Sequence, residues 1–341
     1  MISMASEKDP LGRMPRPLTG RFQADYADKA VQDRVANVTI AVDGIWVTHR
    51  PQEAIVGRVL TYRLGNLGRV PKTMDGLCMG QQSQSAKSST MERVKQTLMQ
   101  EAIDAGEEPN PFQTIIVGLD QKTSLKSVMQ DVLIEMKDPD WDYGTEKQLK
   151  QRIKNFVPLL GVELIIIDEC QHLGKGTKSD DDKAGVVFSD VTDALKRLLD
   201  LKIAPIVLVG NEDAAVVFKR NQQLRVRLGL PLELPALRTA LDPEAILLRD
   251  FITAFATQLK TSGAVAVEPN FTHETILDGI IEVAGGYVGR IARFLKNAAI
   301  HASARDAVTV EPYDLSCVTR GYAIDSKWIT TDPFSKPHGK R

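Results

Sequence analysis

The sequence predicts an α/β fold, a parallel sheet flanked by helices with a small helical segment after it, on three observations. Short aliphatic runs before Gly80 and at 114–119, 162–167 and 203–209 alternate with stretches of helical periodicity. The third run, Leu164-Ile165-Ile166-Ile167, reads as a strand buried on both faces, and it stops abruptly at two carboxylates, Asp168 and Glu169. A loop rich in serine and glutamine follows the first run and ends in Lys87-Ser88 at the mouth of a helix.

Composition sets the frame. With 341 residues, 43% of them hydrophobic and 26% charged, the chain can build about two globular domains. No apolar run approaches the roughly 18 residues of a membrane helix, and the N-terminal stretch has no signal-peptide core, so the cytoplasm is the expected compartment and no membrane partner is expected. Three cysteines without C-x-x-C spacing argue against a disulfide framework or a zinc site. A net charge of −1 excludes a uniformly basic protein but leaves room for a local basic face on nucleic acid.

Residues 1–35, polar and rich in proline and arginine, read as a flexible arm, and 311–341 as a C-terminal tail. Between them the sequence divides into an α/β domain, 36–241, and a helical lid, 242–310. Residues 38–47 carry β-branched character and predict an extended segment; Ile55, Val59, Leu60 and Leu64 then recur at helical spacing behind Pro51. The stretch from Met74 to Thr90 has the layout strand, polar loop, Lys-Ser, helix. Backbone amides and a helix N-terminus would cradle phosphates there, with Gly80, Ser83, Ser85 and Ser89 lining the cradle. On that reading Lys87 bridges the β- and γ-phosphates and the Ser88 hydroxyl ligates Mg²⁺. The strict pattern G-x-x-x-x-G-K-[ST] fails at two places, because Gln81 and Ala86 stand where glycines belong. A plain Ser/Gln loop before an amphipathic helix remains the competing reading.

The second β-α unit, 114–136, carries Lys122 and Lys126 between its strand and helix, and a basic-faced helix over 148–160 leads into the acidic strand. If the ligand is a nucleoside triphosphate, Asp168 holds Mg²⁺ through its water shell and Glu169 orients or deprotonates the attacking water. The alternative is a solvated acidic turn. Residues 174–184, with three aspartates in a row, read as a long loop, and 191–199 as a helix. The fourth strand ends in Asn211, either a ligand to the attacking water and the γ-phosphate or a turn former. Lys219, Arg220, Arg225, Arg227 and Arg238 form a basic cluster that would supply an arginine finger to a neighbouring subunit or face solvent or nucleic acid. Asp242-Pro243 opens the helical lid, Gly285-Gly286 ends its second helix, and 290–302 forms its third, with Arg290 near the start.

The order of these features is similar to that of an AAA+ ATPase, a P-loop NTPase core with a small C-terminal helical lid. More narrowly, the chain resembles the TniB/TnsC family of transposition ATPases. The likeness rests on Asp168-Glu169-Cys170-Gln171-His172-Leu173, the stretch from Trp46 to Pro51, Pro205 to Asn211, Gln223-Leu224 with Arg227, and Gly285-Gly286-Tyr287-Val288-Gly289-Arg290. The resemblance implies ATP and Mg²⁺ as cofactors. It makes Lys87 and Ser88 Walker A, Asp168 and Glu169 Walker B, Asn211 the first sensor, Arg227 the finger with Arg225 its rival, and Arg290 the second sensor. It further implies self-association into a ring or helical filament on double-stranded DNA, contacts there from Lys122 and Lys126, and partnership with a transposase and a target-selection protein. The departures at Gln81 and Ala86 bear on hydrolysis more than on binding, which leaves a nucleotide-gated scaffold, or a helicase loader or defence switch on the same core, as alternatives.

Overall fold

A computed structural model describes residues 26–67, 75–120, 124–173 and 184–335, with side chains in the fourth segment from Thr192 onward. The expected loop at 174–183, the arm before residue 26 and Lys122 lie outside the described residues. Two compact units emerge: His49–Pro235, and the described part of Met1–Thr48 together with Ala236–Arg341.

The first unit is built on strands β1 (Leu77–Gly80), β2 (Thr114–Gly118), β3 (Leu164–Asp168) and β4 (Ile206–Gly210), all parallel in the order β1-β4-β3-β2. Gly80 is paired with Gly210 and Gly118 with Asp168, so the C-terminal ends of the strands share one edge. Strand β3 is internal, which is why every residue from Leu164 to Asp168 is buried and why its face-to-face aliphatics are needed. Burying an isoleucine there contributes about 1.5–3 kcal/mol relative to leaving it exposed.

Helices α2 (Arg50–Asn66), α3 (Lys87–Asp104), α4 (Leu125–Glu135), α5 (Glu146–Leu160), α6 (Ala184–Leu199), α7 (Glu212–Arg220) and α8 (Gln222–Arg227) belong to this unit. Helix α5 starts with a Thr145–Gln148 capping box and ends at left-handed Gly161. At the N-terminal ends of the strands, Arg63 pairs with Glu163, which also accepts from Gln113 at 2.8 Å. The Tyr62 hydroxyl accepts from Ile206 N at 3.0 Å and donates to its carbonyl at 3.3 Å. Burial there pushes the phenol up to about 12.

The second unit departs most from expectation. Residues 29–43 form α1 (Lys29–Asp43), a helix where 38–47 predicts extended chain and 29–35 an arm. Val38, Thr39, Ile40 and Val42 each cost only a few tenths of a kcal/mol in a helix, a small sum beside the burial of Val31 and Val42. Val31 and Val42 are buried, Arg34 donates to Ser303 O at 3.3 Å, and Asp28 caps the first turn. The lid helices are α9 (Asp242–Thr261), α10 (Glu274–Ala284) and α11 (Val288–Ala304), with Asp242 and Pro243 both inside the first turn. Gly285 and Gly286 take φ of +59° and +75°, and a Cβ on Gly286 would strike the Leu237 carbonyl.

Of the segment expected as a C-terminal tail, residues 312–335 are folded onto this unit as well. They form α12 (Pro312–Val318) and a π-helical turn, Thr319–Ala323. Trp328 packs edge-on against Tyr322 at 5.2 Å, and buried Phe334 stacks on Phe294 at 6.1 Å over Gly279, where a Cβ would lie 2.6 Å from its ring. The anchor is Asp314, fully buried, which accepts from His301 Nδ1 at 2.7 Å and from Arg305 Nε and Nη2 at 2.8 and 2.7 Å. Burial raises its pKa, but the bonds from Arg305 and His301 outweigh that and hold the carboxyl below its ordinary value. No helix among the described residues is long and apolar enough to cross a membrane.

Removing Asp314 leaves the half-buried Arg305 with Glu311 as its remaining carboxylate and an unfilled buried site beside it. Asp314→Ala should destabilise the α12 region by about 3 kcal/mol, read as loss of hydrogen-exchange protection over 312–323. Because the folded pKa is depressed, the stabilisation is complete above the unfolded carboxylate value, about 3.9, and drains away as the pH falls through the lower folded value. Protection in the parent should follow that course on acidification.

Candidate phosphate-binding site

Because β4 lies between β1 and β3, its C-terminal end is flanked by the exits of β1 and β3. The loop after β1 is held at its start by Gln81 N, which donates to Gly210 O at 3.1 Å, and turns through Ser85 N to Gln82 O at 3.3 Å. Gln84 and Ala86 take φ of +62° and +72°, the left-handed region. Ala86 thus keeps the backbone that the missing glycine would adopt, at a cost of about 1–2 kcal/mol for its Cβ. Below it, Thr90 bonds back to Ala86 O at 2.7 Å and accepts from Gln52 of α2 at 3.0 Å.

Helix α3 opens at Lys87, so the amides of its first turn have no intrahelical acceptor and face the loop. Lys87 is buried and donates to Gln81 O and Gln82 O, both at 2.9 Å. Burial lowers its pKa, against the opposing pull of Glu169, Asp168 and Glu212. Ser85 is buried with its Oγ lacking a hydrogen-bond partner among the described residues, whereas Ser83, Ser88 and Ser89 are exposed. An orphaned hydroxyl, a buried ammonium and spare helix amides together fit an anionic phosphate.

The acidic edge meets this loop directly. Ser88 Oγ donates to Asp168 Oδ2 at 2.5 Å, and Asp168 Oδ1 accepts from Glu169 N at 2.8 Å. A hydroxyl and a carboxylate at this spacing are hard oxygen donors of the kind Mg²⁺ takes. Asp168 is buried, while the Glu169 side chain is 45% exposed at a left-handed φ of 55°, so Glu169 is the acid that water reaches. Gln171, in the short 3-10 helix Cys170–His172, donates to the Glu169 carboxylate and accepts from Asn211 N at 3.1 Å. His172 Nε2 stands 3.9 Å from Glu169.

Asn211 does the work of a cap. Its Oδ1 accepts from Asp213 N and Ala214 N at 2.9 and 3.3 Å, which starts α7. Gly80 has a packing role of its own: α7 crosses so closely that a Cβ would lie 2.7 Å from the Ala215 backbone. The sequence marks Gln171 only as part of the acidic motif and Gln81 only as a departure from glycine, and it gives Gln52 and Thr90 no role, because nothing in their spacing marks side chains that bridge two segments.

The remaining predicted residues make other contacts. On α8, Arg227 is ion-paired to Asp200 at 2.6 Å, while Arg225 is exposed and makes no ion pair among the described residues. Arg290 belongs to the other unit, where its guanidinium lies 4.9 Å from the Tyr287 ring and 5.4 Å from that of Trp328. Lys126 is half-buried in the first turn of α4.

A family model described as "Bacterial TniB protein" matches residues 45–237. No curated protein matches the chain in sequence. Among solved structures, the Aeropyrum pernix ORC2 protein in its ADP form is similar with a TM-score of 0.55 and 14% identity, over 81% of this chain and 70% of that one. The Aeropyrum pernix ORC1 protein in complex with DNA gives 0.53 and 17%, over 80% and 66%. Cdc6p from Pyrobaculum aerophilum gives 0.54 and 14%, over 82% and 70%. At these identities the likeness establishes the fold, an AAA+ core with a helical lid.

Two substitutions separate packing from strain. Gly80→Ala should cost about 1–3 kcal/mol by forcing α7 off the sheet. Ala86→Gly should instead stabilise the unit by about 1 kcal/mol by relieving the left-handed alanine. Denaturant unfolding of each variant against the parent checks both signs.

Proposed function

The chain belongs to the TniB family, and from that premise we propose that it is an ATP-dependent, DNA-binding regulator of transposition. In this reading it assembles as a ring or helical filament on double-stranded DNA and links a target-selection protein to the transposase. The observation that carries it is the Ser88–Asp168 hydrogen bond at 2.5 Å, which joins the phosphate loop to the acidic strand end as one site.

Lys87 exchanges its two loop carbonyls for the β- and γ-phosphates, and Ser85, Ser88 and the first-turn amides of α3 complete the cradle. Ser88 and Asp168 would hold Mg²⁺, which would neutralise charge on the phosphates. Glu169, exposed and steered by Gln171, orients the attacking water. Asn211 acts through Gln171, whose carbonyl it anchors. Arg225 is the better candidate for a finger reaching a neighbouring subunit, since Arg227 is already paired within its own chain. Lys122 and Lys126 make phosphate contacts with DNA that are individually weak and gain strength by repetition along an assembly. The ADP form of one structural neighbour and the DNA complex of another accord with this reading.

A second reading, a nucleotide-gated scaffold that does not hydrolyse, is favoured by one feature. The loop carries two non-glycine residues at positive φ and satisfies Lys87 with its own carbonyls.

Phosphate release from ATP, measured with and without double-stranded DNA, separates the two. The regulator predicts DNA-stimulated release that falls by at least about 100-fold in Glu169→Gln, with ATP binding retained, and that disappears in Lys87→Ala together with binding. Background release from the parent, with ATP-dependent DNA binding intact, would establish the scaffold instead.

A further inference from the structure

We propose that Gln81 is a positioning residue that ties the phosphate loop to residues 232–234, so that nucleotide in the loop is felt by the peptide through which the chain leaves the α/β unit. The inference rests on the phosphate-binding reading of this loop and adds a route of regulation to it.

Gln81 stands where the phosphate-loop pattern has a glycine, and glycine there offers only its backbone. Here the side chain is used: Gln81 Oε1 accepts from Leu234 N at 2.8 Å. The main chain of the same residue donates to Gly210 O at 3.1 Å and accepts from Lys87 Nζ at 2.9 Å. One residue therefore joins the end of β4, the loop lysine and the exit peptide.

That peptide is built into the unit. Leu232 and Leu234 are buried, Leu232 N donates to Cys78 O of β1 at 2.7 Å, and Arg58 of α2 donates to the carbonyls of Leu230 and Pro231 at 3.0 and 3.2 Å. The segment covers the free edge of β1. In a parallel ladder the next amide on that side, Leu234 N, would meet a strand carbonyl; it is bonded to the Gln81 side chain instead. A buried amide must keep an acceptor, so the position of residue 234 depends on that of Gln81.

Lys87 supplies the coupling. Two of its three N–H donors are held by the carbonyls of Gln81 and Gln82, so a phosphate that takes the third, or displaces either carbonyl, pulls on the same residue whose side chain holds Leu234. Occupancy of the loop and the tether at Leu234 are then two states of one hydrogen-bond network.

The test is hydrogen exchange at the Leu234 amide in the full chain, with and without ATP and Mg²⁺, beside equilibrium binding of the nucleotide. In the parent, nucleotide should change exchange at this amide. Gln81→Met keeps the shape and removes the acceptor: exchange at Leu234 without nucleotide should rise about tenfold, and the response to nucleotide should vanish. By linkage, nucleotide affinity should change in Gln81→Met by the same factor with which nucleotide changes exchange at Leu234 in the parent, and protection of β3 should persist as the check on folding. Gln81→Glu, which keeps an acceptor oxygen, should restore the protection seen without nucleotide. Parent-like exchange in Gln81→Met, or a nucleotide response that survives in it, overturns the proposal. Failure of the parent to bind nucleotide overturns both the functional reading and the transmission, while the comparison without nucleotide still decides whether the tether exists.

Discussion

Everything at the candidate site depends on one constraint, the parallel register of the four strands. Parallel strands put all their exits on one edge, and the order β1-β4-β3-β2 leaves the exits of β1 and β3 on either side of β4. The phosphate loop and the acidic pair can then share a hydrogen bond although 80 residues separate Ser88 from Asp168. The burial that holds this register is supplied by aliphatics on both faces of β3 and β4, so sheet core and site geometry are one energetic unit.

Of the seven non-glycine residues at positive φ among the described residues, three, Gln84, Ala86 and Glu169, flank the hydrogen-bond cluster of the candidate site. Around them, side-chain amides replace what a glycine-rich loop leaves to backbone and water. Gln81 reaches the exit peptide, Gln171 spans Glu169 and Asn211, and Gln52 reaches Thr90 beneath Ala86. Such a network is stable only while each member keeps its partner, and Lys87, bonded to the carbonyls of Gln81 and Gln82, is part of it.

The second unit follows a different logic. Its helices are amphipathic and pack by apolar faces, yet its C-terminal segment is pinned by a buried carboxylate, Asp314, shared between His301 and Arg305, and by Asp332, which accepts from Ser316 Oγ at 2.6 Å. Arg290 sits among the aromatics of this unit, so its guanidinium is positioned by ring faces.

The sequence by itself determined the sheet, the helices around it and the two ends of the site. Uninterrupted aliphatic runs, the Lys87-Ser88 step and the Asp168-Glu169 terminus are local patterns whose physical meaning survives without context. Periodicity also marked α9 to α11, and glycines at 285 and 286 marked a left-handed stop. Only the tertiary structure decided that 29–43 is a helix, because burial of Val31 and Val42 and the bond from Arg34 to Ser303 outweigh a weak β-branched preference. It likewise decided that 312–335 is folded, since nothing in the sequence shows that Asp314, Arg305 and His301 face one another. The roles of Gln81, Gln171 and Asn211 were also set at that level. A glutamine's amide acts at the end of a flexible side chain, and what it joins depends on which loops the fold brings within its reach.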